Sequence, residues 1–105
     1  MTNITEEQQA RFLKCIGEPT RLQILKFLAD GEKCVGDIIQ NVHREQSLVS
    51  HHLKALKECN IVVARHDAQK IYYSLTDPMV ADIVRSSESL LSRLKLCEDG
   101  ECCER

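Results

Sequence analysis

The sequence predicts a mainly α-helical domain in which a β-hairpin is followed by one closing helix. Four segments with helical apolar spacing precede residue 60, strand-like patterning covers residues 61–75, and helical spacing returns after residue 77. This order is typical of a winged helix-turn-helix, and 105 residues allow only one such domain. We predict a winged-helix DNA-binding and dimerisation domain at residues 1–96 and a cysteine-rich acidic tail at residues 97–105.

The first two helices have recognisable ends. Thr5 with Gln8 three residues later predicts a capping box, an apolar stripe follows at residues 12–16, and Gly17 ends the first helix. Pro19 suits the first position of the second helix, which leucines at helical spacing extend as far as residue 30.

Two further helices are predicted at residues 34–42 and 46–59, joined by a short polar link. Such a pair forms a helix-turn-helix. Strands at residues 61–66 and 70–75 then make a hairpin connected by residues 67–69, and Asp77 with Pro78 starts a last helix that frays at Cys97.

The distribution of charge is more informative than the net charge of −2. Residues 43–70 carry a net +2 and all four histidines, whereas the last nine residues carry −3. With 43% hydrophobic and 29% charged residues, the composition excludes a disordered chain. The longest apolar run is four residues at 61–64, so we expect a cytoplasmic protein without a membrane partner.

The fourth helix is amphipathic in a way that suits a DNA groove. Its apolar positions share one face with His52, which we expect to be a packed structural histidine. Polar side chains of the opposite face can contact base edges and phosphates, as can those of the hairpin. The predicted DNA-binding residues are Gln46, Ser47, Ser50, His51, Lys54, Lys57, Arg65, Gln69 and Lys70.

Three segments resemble the ArsR/SmtB family of metal-responsive repressors: GEPTRLQIL at residues 17–25, QSLVSHHLK at 46–54 and KIYYSL at 70–75. The resemblance covers roughly residues 8–95. It implies a homodimer, paired through its first and last helices, that leaves operator DNA when an ion binds cysteine or histidine ligands. We expect the dimer surface to include Phe12, Ile16, Ile83, Leu91 and Leu94.

Most ligand sets of the family are incomplete here. The Cys-Val-Cys of its arsenic and cadmium sensors is Cys34-Val35-Gly36, and the last helix has Asp82 but no histidine for the family's zinc site. Of the recognition-helix cysteine pair in its cadmium and lead sensors, only Cys59 remains. The family often has glycine in the hairpin turn, where this chain has Ala68 and Gln69, and we therefore expect a longer or looser wing.

Three thiols remain in the tail, at Cys97, Cys102 and Cys103, with Gly100 between them. Soft trivalent arsenic or antimony takes three sulfur ligands, and some arsenic-responsive family members carry a similar terminal cluster. We expect this cluster to be the inducer site. Cadmium or lead binding and a redox- or sulfide-sensing disulfide are alternatives, and the secondary candidate ligands are Cys15, Cys34 and Cys59.

Cys15, between the apolar residues of the first helix, is expected to be a small core residue, although a cross-subunit site with Cys59 or the tail stays open. The sequence has no Cys-x-x-Cys motif, phosphate loop or paired nucleophile and base, so we expect no enzyme activity. A thiol protein of metal handling that does not bind DNA is the competing class of function.

Overall fold

The computed structural model describes residues 3–94, which form five helices and a three-stranded sheet. The elements in chain order are α1 (Glu6–Ile16), α2 (Pro19–Leu28), β1 (Lys33–Cys34), α3 (Val35–Val42), α4 (Gln46–Glu58), β2 (Val62–Asp67), β3 (Lys70–Leu75) and α5 (Met79–Leu94). The predicted winged helix-turn-helix is confirmed.

Hydrogen bonds from side chains set the starts of the first two helices. The Gln8 N–H donates to Thr5 Oγ1 at 3.1 Å, and the Thr5 N–H donates to Gln8 Oε1 at 2.9 Å, so the predicted capping box forms. Pro19 opens α2, and the Glu18 carboxylate accepts a bond from the Arg21 N–H. The starts of α1 and α2 therefore follow from residues that are close together in the sequence.

The link between α3 and α4 is tight because His43 adopts the left-handed conformation, with φ at 60°. This residue ends α3 and turns the chain, and α4 begins at Gln46 as predicted. The start of α3 is one residue later than expected, since Cys34 belongs to the short strand β1.

The sheet has the antiparallel order β1-β3-β2 and contains one strand that the sequence did not predict. In β1, Lys33 pairs with Tyr73 and Cys34 with Tyr72. Two residues are too few to show the alternation that identifies a strand, and β1 exists because β3 offers it a free edge.

The expectation of a longer or looser wing is wrong. Asp67 pairs with Lys70, which leaves a two-residue turn of Ala68 and Gln69. Ala68 takes the positive φ of 57° that glycine would adopt without strain. For an alanine this conformation costs roughly 1–2 kcal/mol, which the paired strands on either side offset.

The core lies between α2, α3, α4, the sheet and α5. Ile24, Leu25 and Leu28 of α2 are almost fully buried, as are Ile38 of α3 and Leu53 of α4. In residues 3–94 there is no helix long and apolar enough to cross a membrane.

The apolar residues expected at a dimer surface divide into two groups. Ile16 is only 7% exposed and belongs to the core of its own chain, so its assignment to the dimer surface is wrong. Phe12 and Ile83 are half-buried against the same core. Leu91 and Leu94 of α5 remain exposed.

Candidate nucleic-acid interface and thiol sites

The recognition-helix face of α4 is defined by Gln46, Ser47, Ser50, His51, Lys54 and Lys57, all of which are exposed. The opposite face buries Val49, Leu53 and Leu56 at 1% exposure or less. The helix is thus held by its apolar side, and its small hydroxyl and cationic side chains face outward. This arrangement can enter a major groove, where serine, histidine and lysine reach base edges and phosphates.

His52 is buried and anchors α4 to α2, as expected for a structural histidine. Its Nδ1 accepts a hydrogen bond of 2.9 Å from Arg21 Nε, and its Nε2 lies 3.7 Å from a Glu18 carboxylate oxygen. Burial lowers the pKa of His52; Glu18 raises it, and the charges of Arg21 and His51 add to the lowering. The neutral ring is therefore the form that accepts the bond from Arg21.

The lysine and arginine side chains expected to contact phosphates differ in the ion pairs that they form within the chain. Within residues 3–94, Lys54, Lys57 and Lys70 form no ion pair, and all three are exposed. Gln69 and Lys70 lie at the tip of the wing, which we define as β2, β3 and their turn. These side chains are free to reorient toward a phosphate backbone.

Arg65 is held in the middle of β2, opposite Tyr72 of β3. Its Nε and Nη2 donate to the two carboxylate oxygens of Glu32 at 2.9 and 2.7 Å. The guanidinium also lies 4.7 Å from the Tyr72 ring centre and 3.6 Å from Asp67. The hydrogen bond with Glu32 is the main reason that the pKa of the Arg65 guanidinium is raised above its ordinary value. Sequence reasoning missed Glu32, because nothing local links it to a residue 33 positions later.

Two of the secondary candidate thiols come together between α1 and α4. Cys15 is 6% exposed, and it lines one cleft together with the exposed Cys59. Cys15 Sγ also donates to the Ala55 carbonyl at 3.8 Å. Burial raises the pKa of Cys15 to about 11, with Cys59 adding to the rise and Arg21 opposing it. The expectation that Cys15 is a core residue is confirmed.

The remaining cysteines lie elsewhere. Cys34 is half-buried on β1, opposite Tyr72. Cys97, Cys102 and Cys103 lie outside the described residues. Over residues 3–94, no group of three or more histidine, cysteine or carboxylate side chains is placed to hold a metal ion.

Comparison with known proteins agrees with this geometry. A family model described as "Bacterial regulatory protein, arsR family" matches residues 18–63, from the start of α2 into β2. The chain is 38% identical over 96 residues to a probable mercury resistance operon repressor of Streptomyces lividans, covering 91% of this chain and 75% of that protein. It is 28% identical over 101 residues to the arsenical resistance operon repressor of Staphylococcus aureus, and this match covers 91% of this chain and 97% of that protein.

Among solved structures, the fold is similar to Mb0332 from Mycobacterium bovis, described as a homodimeric winged helix-turn-helix DNA-binding domain of a possible ArsR-family regulator. The TM-score is 0.74 at 28% identity, over 88% of this chain and 91% of the other. Relatives so described are transcriptional regulators, a class that is not enzymatic. The matched segment, the two repressor relatives and the shared fold together place this chain in the ArsR/SmtB family of winged-helix transcriptional regulators.

Proposed function

We propose that the chain is a repressor that binds operator DNA as a homodimer and releases it when trivalent arsenic or antimony binds the thiols of Cys97, Cys102 and Cys103. The observation that carries the DNA-binding part is the recognition-helix face. Its polar side chains are all exposed, while the apolar side of the same helix is buried in the core. A helix presented in this way is suited to reading a major groove.

The wing supports the same function. Lys70 at its tip adds an exposed positive charge to those of Lys54 and Lys57 of α4, and Gln69 adds an exposed hydrogen-bonding amide. Lysines neutralise phosphates and fix the register of a protein on a duplex, and we assign the base-edge contacts to the serines and His51 of α4. We assign Arg65 a phosphate contact as well, made while Glu32 holds the guanidinium in place.

Dimer formation is supported by apolar side chains that the single chain leaves uncovered. Leu90, Leu91 and Leu94 of α5 are 45–54% exposed, and Leu13 of α1 is 49% exposed. Large leucines concentrated on two helices are typical of a surface that a second copy covers. Mb0332 is described as homodimeric, which supports the same assembly for this chain.

The proposed inducer site rests on the sequence of the tail. Three soft thiolates match the number of sulfur ligands that trivalent arsenic takes, and the three cysteines lie within a stretch of seven residues that includes Gly100. The arsenical resistance repressor of Staphylococcus aureus supports arsenic, and the mercury resistance relative makes mercury a second ion to test. Binding must favour the DNA-free form, and a coupling of about 1–3 kcal/mol is ordinary for such regulators.

The test is a titration of the chain on its own promoter DNA with arsenite, antimonite, mercury, cadmium, lead and zinc ions. We expect arsenite or antimonite to release the DNA. A chain truncated after Leu96 should still bind but should no longer respond to arsenite. Release of the truncated form at the same arsenite concentration would place the inducer site elsewhere.

The same titration separates the competing functions. Release by a peroxide or a sulfide donor, with no effect of any ion, would indicate a redox- or sulfide-sensing repressor. A chain that binds these ions but no promoter fragment would be a metal-handling thiol protein instead.

A further inference from the structure

Cys15 and Cys59 are a pair of thiols that the proposed inducer site does not use. They line a cleft of about 290 Å³ between α1 and α4, together with Arg11, Lys14, Arg21, Ala55 and Glu58. Cys15 is buried and Cys59 is exposed, so solvent reaches the pair through Cys59. Tertiary packing brings them to one cleft, because they are 44 positions apart along the chain.

The donor set of this cleft selects the kind of ion. Among residues 3–94 no third metal-ligating side chain joins the pair, so tetrahedral zinc is left without its usual four ligands. Soft ions with a filled d shell, such as Cu⁺, are satisfied by two thiolates in a nearly linear arrangement, and thiolate ligands favour them.

The charge of the cleft favours either a monovalent or a divalent ion among those that two thiolates can bind. The cleft is lined by three cationic side chains, Arg11, Lys14 and Arg21, against one carboxylate, Glu58. Two thiolates with a divalent ion form a neutral complex, whereas two thiolates with a monovalent ion carry a net negative charge. The positive lining therefore favours the monovalent complex.

We propose that Cys15 and Cys59 form a two-thiolate site for a monovalent soft ion of the Cu⁺ class, separate from the tail thiols. Binding exchanges two S–H bonds for two metal–sulfur bonds and releases two protons, with no change of oxidation state. The Arg21 guanidinium offsets the charge that appears on Cys15, since its Nη1 lies 3.7 Å from that sulfur.

Arg21 also connects this site to the recognition helix. The same guanidinium donates from Nη1 to the Cys15 carbonyl at 3.1 Å and from Nε to His52 Nδ1 at 2.9 Å. When Cys15 becomes a thiolate, it loses its bond to the Ala55 carbonyl and attracts the guanidinium more strongly. Occupancy of the site therefore weakens the Arg21–His52 bond. A consequence for DNA affinity rests on the proposed function.

The test is an anaerobic Cu⁺ titration of the full chain in which Cys97, Cys102 and Cys103 are replaced by serine. A chromogenic Cu⁺ chelator competes for the ion. We expect one Cu⁺ per chain to be held against the chelator, and the affinity to fall at least tenfold in Cys15→Ser and in Cys59→Ser. Cys34→Ser is the matched control and should bind Cu⁺ normally.

Cys59 is exposed, so Cys59→Ser keeps the fold even if the buried Cys15→Ser variant does not. The ¹⁵N shift of His52 Nδ1 gives a second readout, and it should move on Cu⁺ binding in the control but not in Cys59→Ser. Equal Cu⁺ affinity in Cys59→Ser and the control would overturn the site. Neither measurement involves DNA, so failure of the repressor function would leave this result unchanged.

Discussion

At the scale of single residues, the centre of the molecule is the polar group formed by Glu18, Arg21 and His52. Arg21 donates to His52 and to the Cys15 carbonyl, and Glu18 caps the helix that carries Arg21. Each buried polar atom in this group has a partner, which a buried network requires in order to stabilise a fold. One guanidinium thereby joins α1, α2 and α4.

The first prediction concerns the pH dependence of stability. The folded chain holds the pKa of His52 below the ordinary value of about 6.5. Between these two pKa values the unfolded chain binds more protons, so the free energy of unfolding rises with pH. The contribution is complete above about pH 6.5 and is lost as the pH falls toward the folded pKa.

Urea unfolding at fixed protein concentration, repeated from pH 7.5 to pH 5.5, measures this effect. His52→Gln keeps an acceptor for Arg21 but does not titrate, and we expect it to lose less stability over this range than the unmodified chain. His66→Gln, at an exposed position on β2 that does not act on His52, is the control and should follow the unmodified chain. Identical pH profiles for His52→Gln and the unmodified chain would contradict the prediction.

The second prediction concerns Lys54, which forms no ion pair in the described part of the chain. Lys54→Ala should weaken promoter binding and lower the slope of log K against log salt concentration by about one for each protomer, because each lost phosphate contact retains one counterion. Fluorescence anisotropy at several salt concentrations measures the slope. Lys26→Ala, which removes a lysine paired with Glu88 on α5, should leave it unchanged.

At the scale of secondary structure elements, the wing combines a strained turn with strong anchoring. Six residue pairs from Val62–Leu75 to Asp67–Lys70 hold β2 and β3 in register. The Arg65–Glu32 pair ties β2 to the segment before β1. These contacts explain how the hairpin tolerates an alanine at positive φ.

The third prediction follows from that turn. Ala68→Gly should raise the free energy of unfolding by up to about 1 kcal/mol, since relief of the left-handed strain exceeds the entropy that glycine adds to the unfolded chain. Urea denaturation measures the change. Ala64→Gly, in the middle of β2, is the control and should destabilise the chain. A less stable Ala68→Gly variant would show that the turn is not strained.

At the scale of the whole molecule, the distribution of exposed apolar side chains indicates an incomplete unit. Leucines of α1 and α5 remain exposed to solvent, while the core residues of the chain are buried. The proposed homodimer covers them, and it sets the distance between two recognition helices that must reach successive major grooves.

The fourth prediction tests that assembly. Leu91→Arg should convert the dimer into a monomer in sedimentation velocity at micromolar concentration, because a charge buried in an apolar interface lacks a partner. The monomer should also lose most of its promoter affinity. Val63→Lys, at an equally exposed position on β2, should remain dimeric. A monomeric unmodified chain would refute the interface.

Several features could be derived from the sequence by itself because each depends on residues close together in the chain. The Thr5 capping box, Pro19 at the start of α2 and the two faces of α4 follow from local hydrogen bonding and helical periodicity. The same periodicity identified the recognition-helix face. Burial of His52 was also expected from its place beside the apolar stripe.

Other features depend on residues that are distant in the chain and meet only after folding. Strand β1 forms because β3 presents an edge, and Glu32 meets Arg65 because that sheet places them together. Cys15 and Cys59 come to line one cleft through the packing of α1 on α4. Such pairs leave no periodic or local pattern, because their energy comes from long-range contacts and burial, and only the tertiary structure decides them.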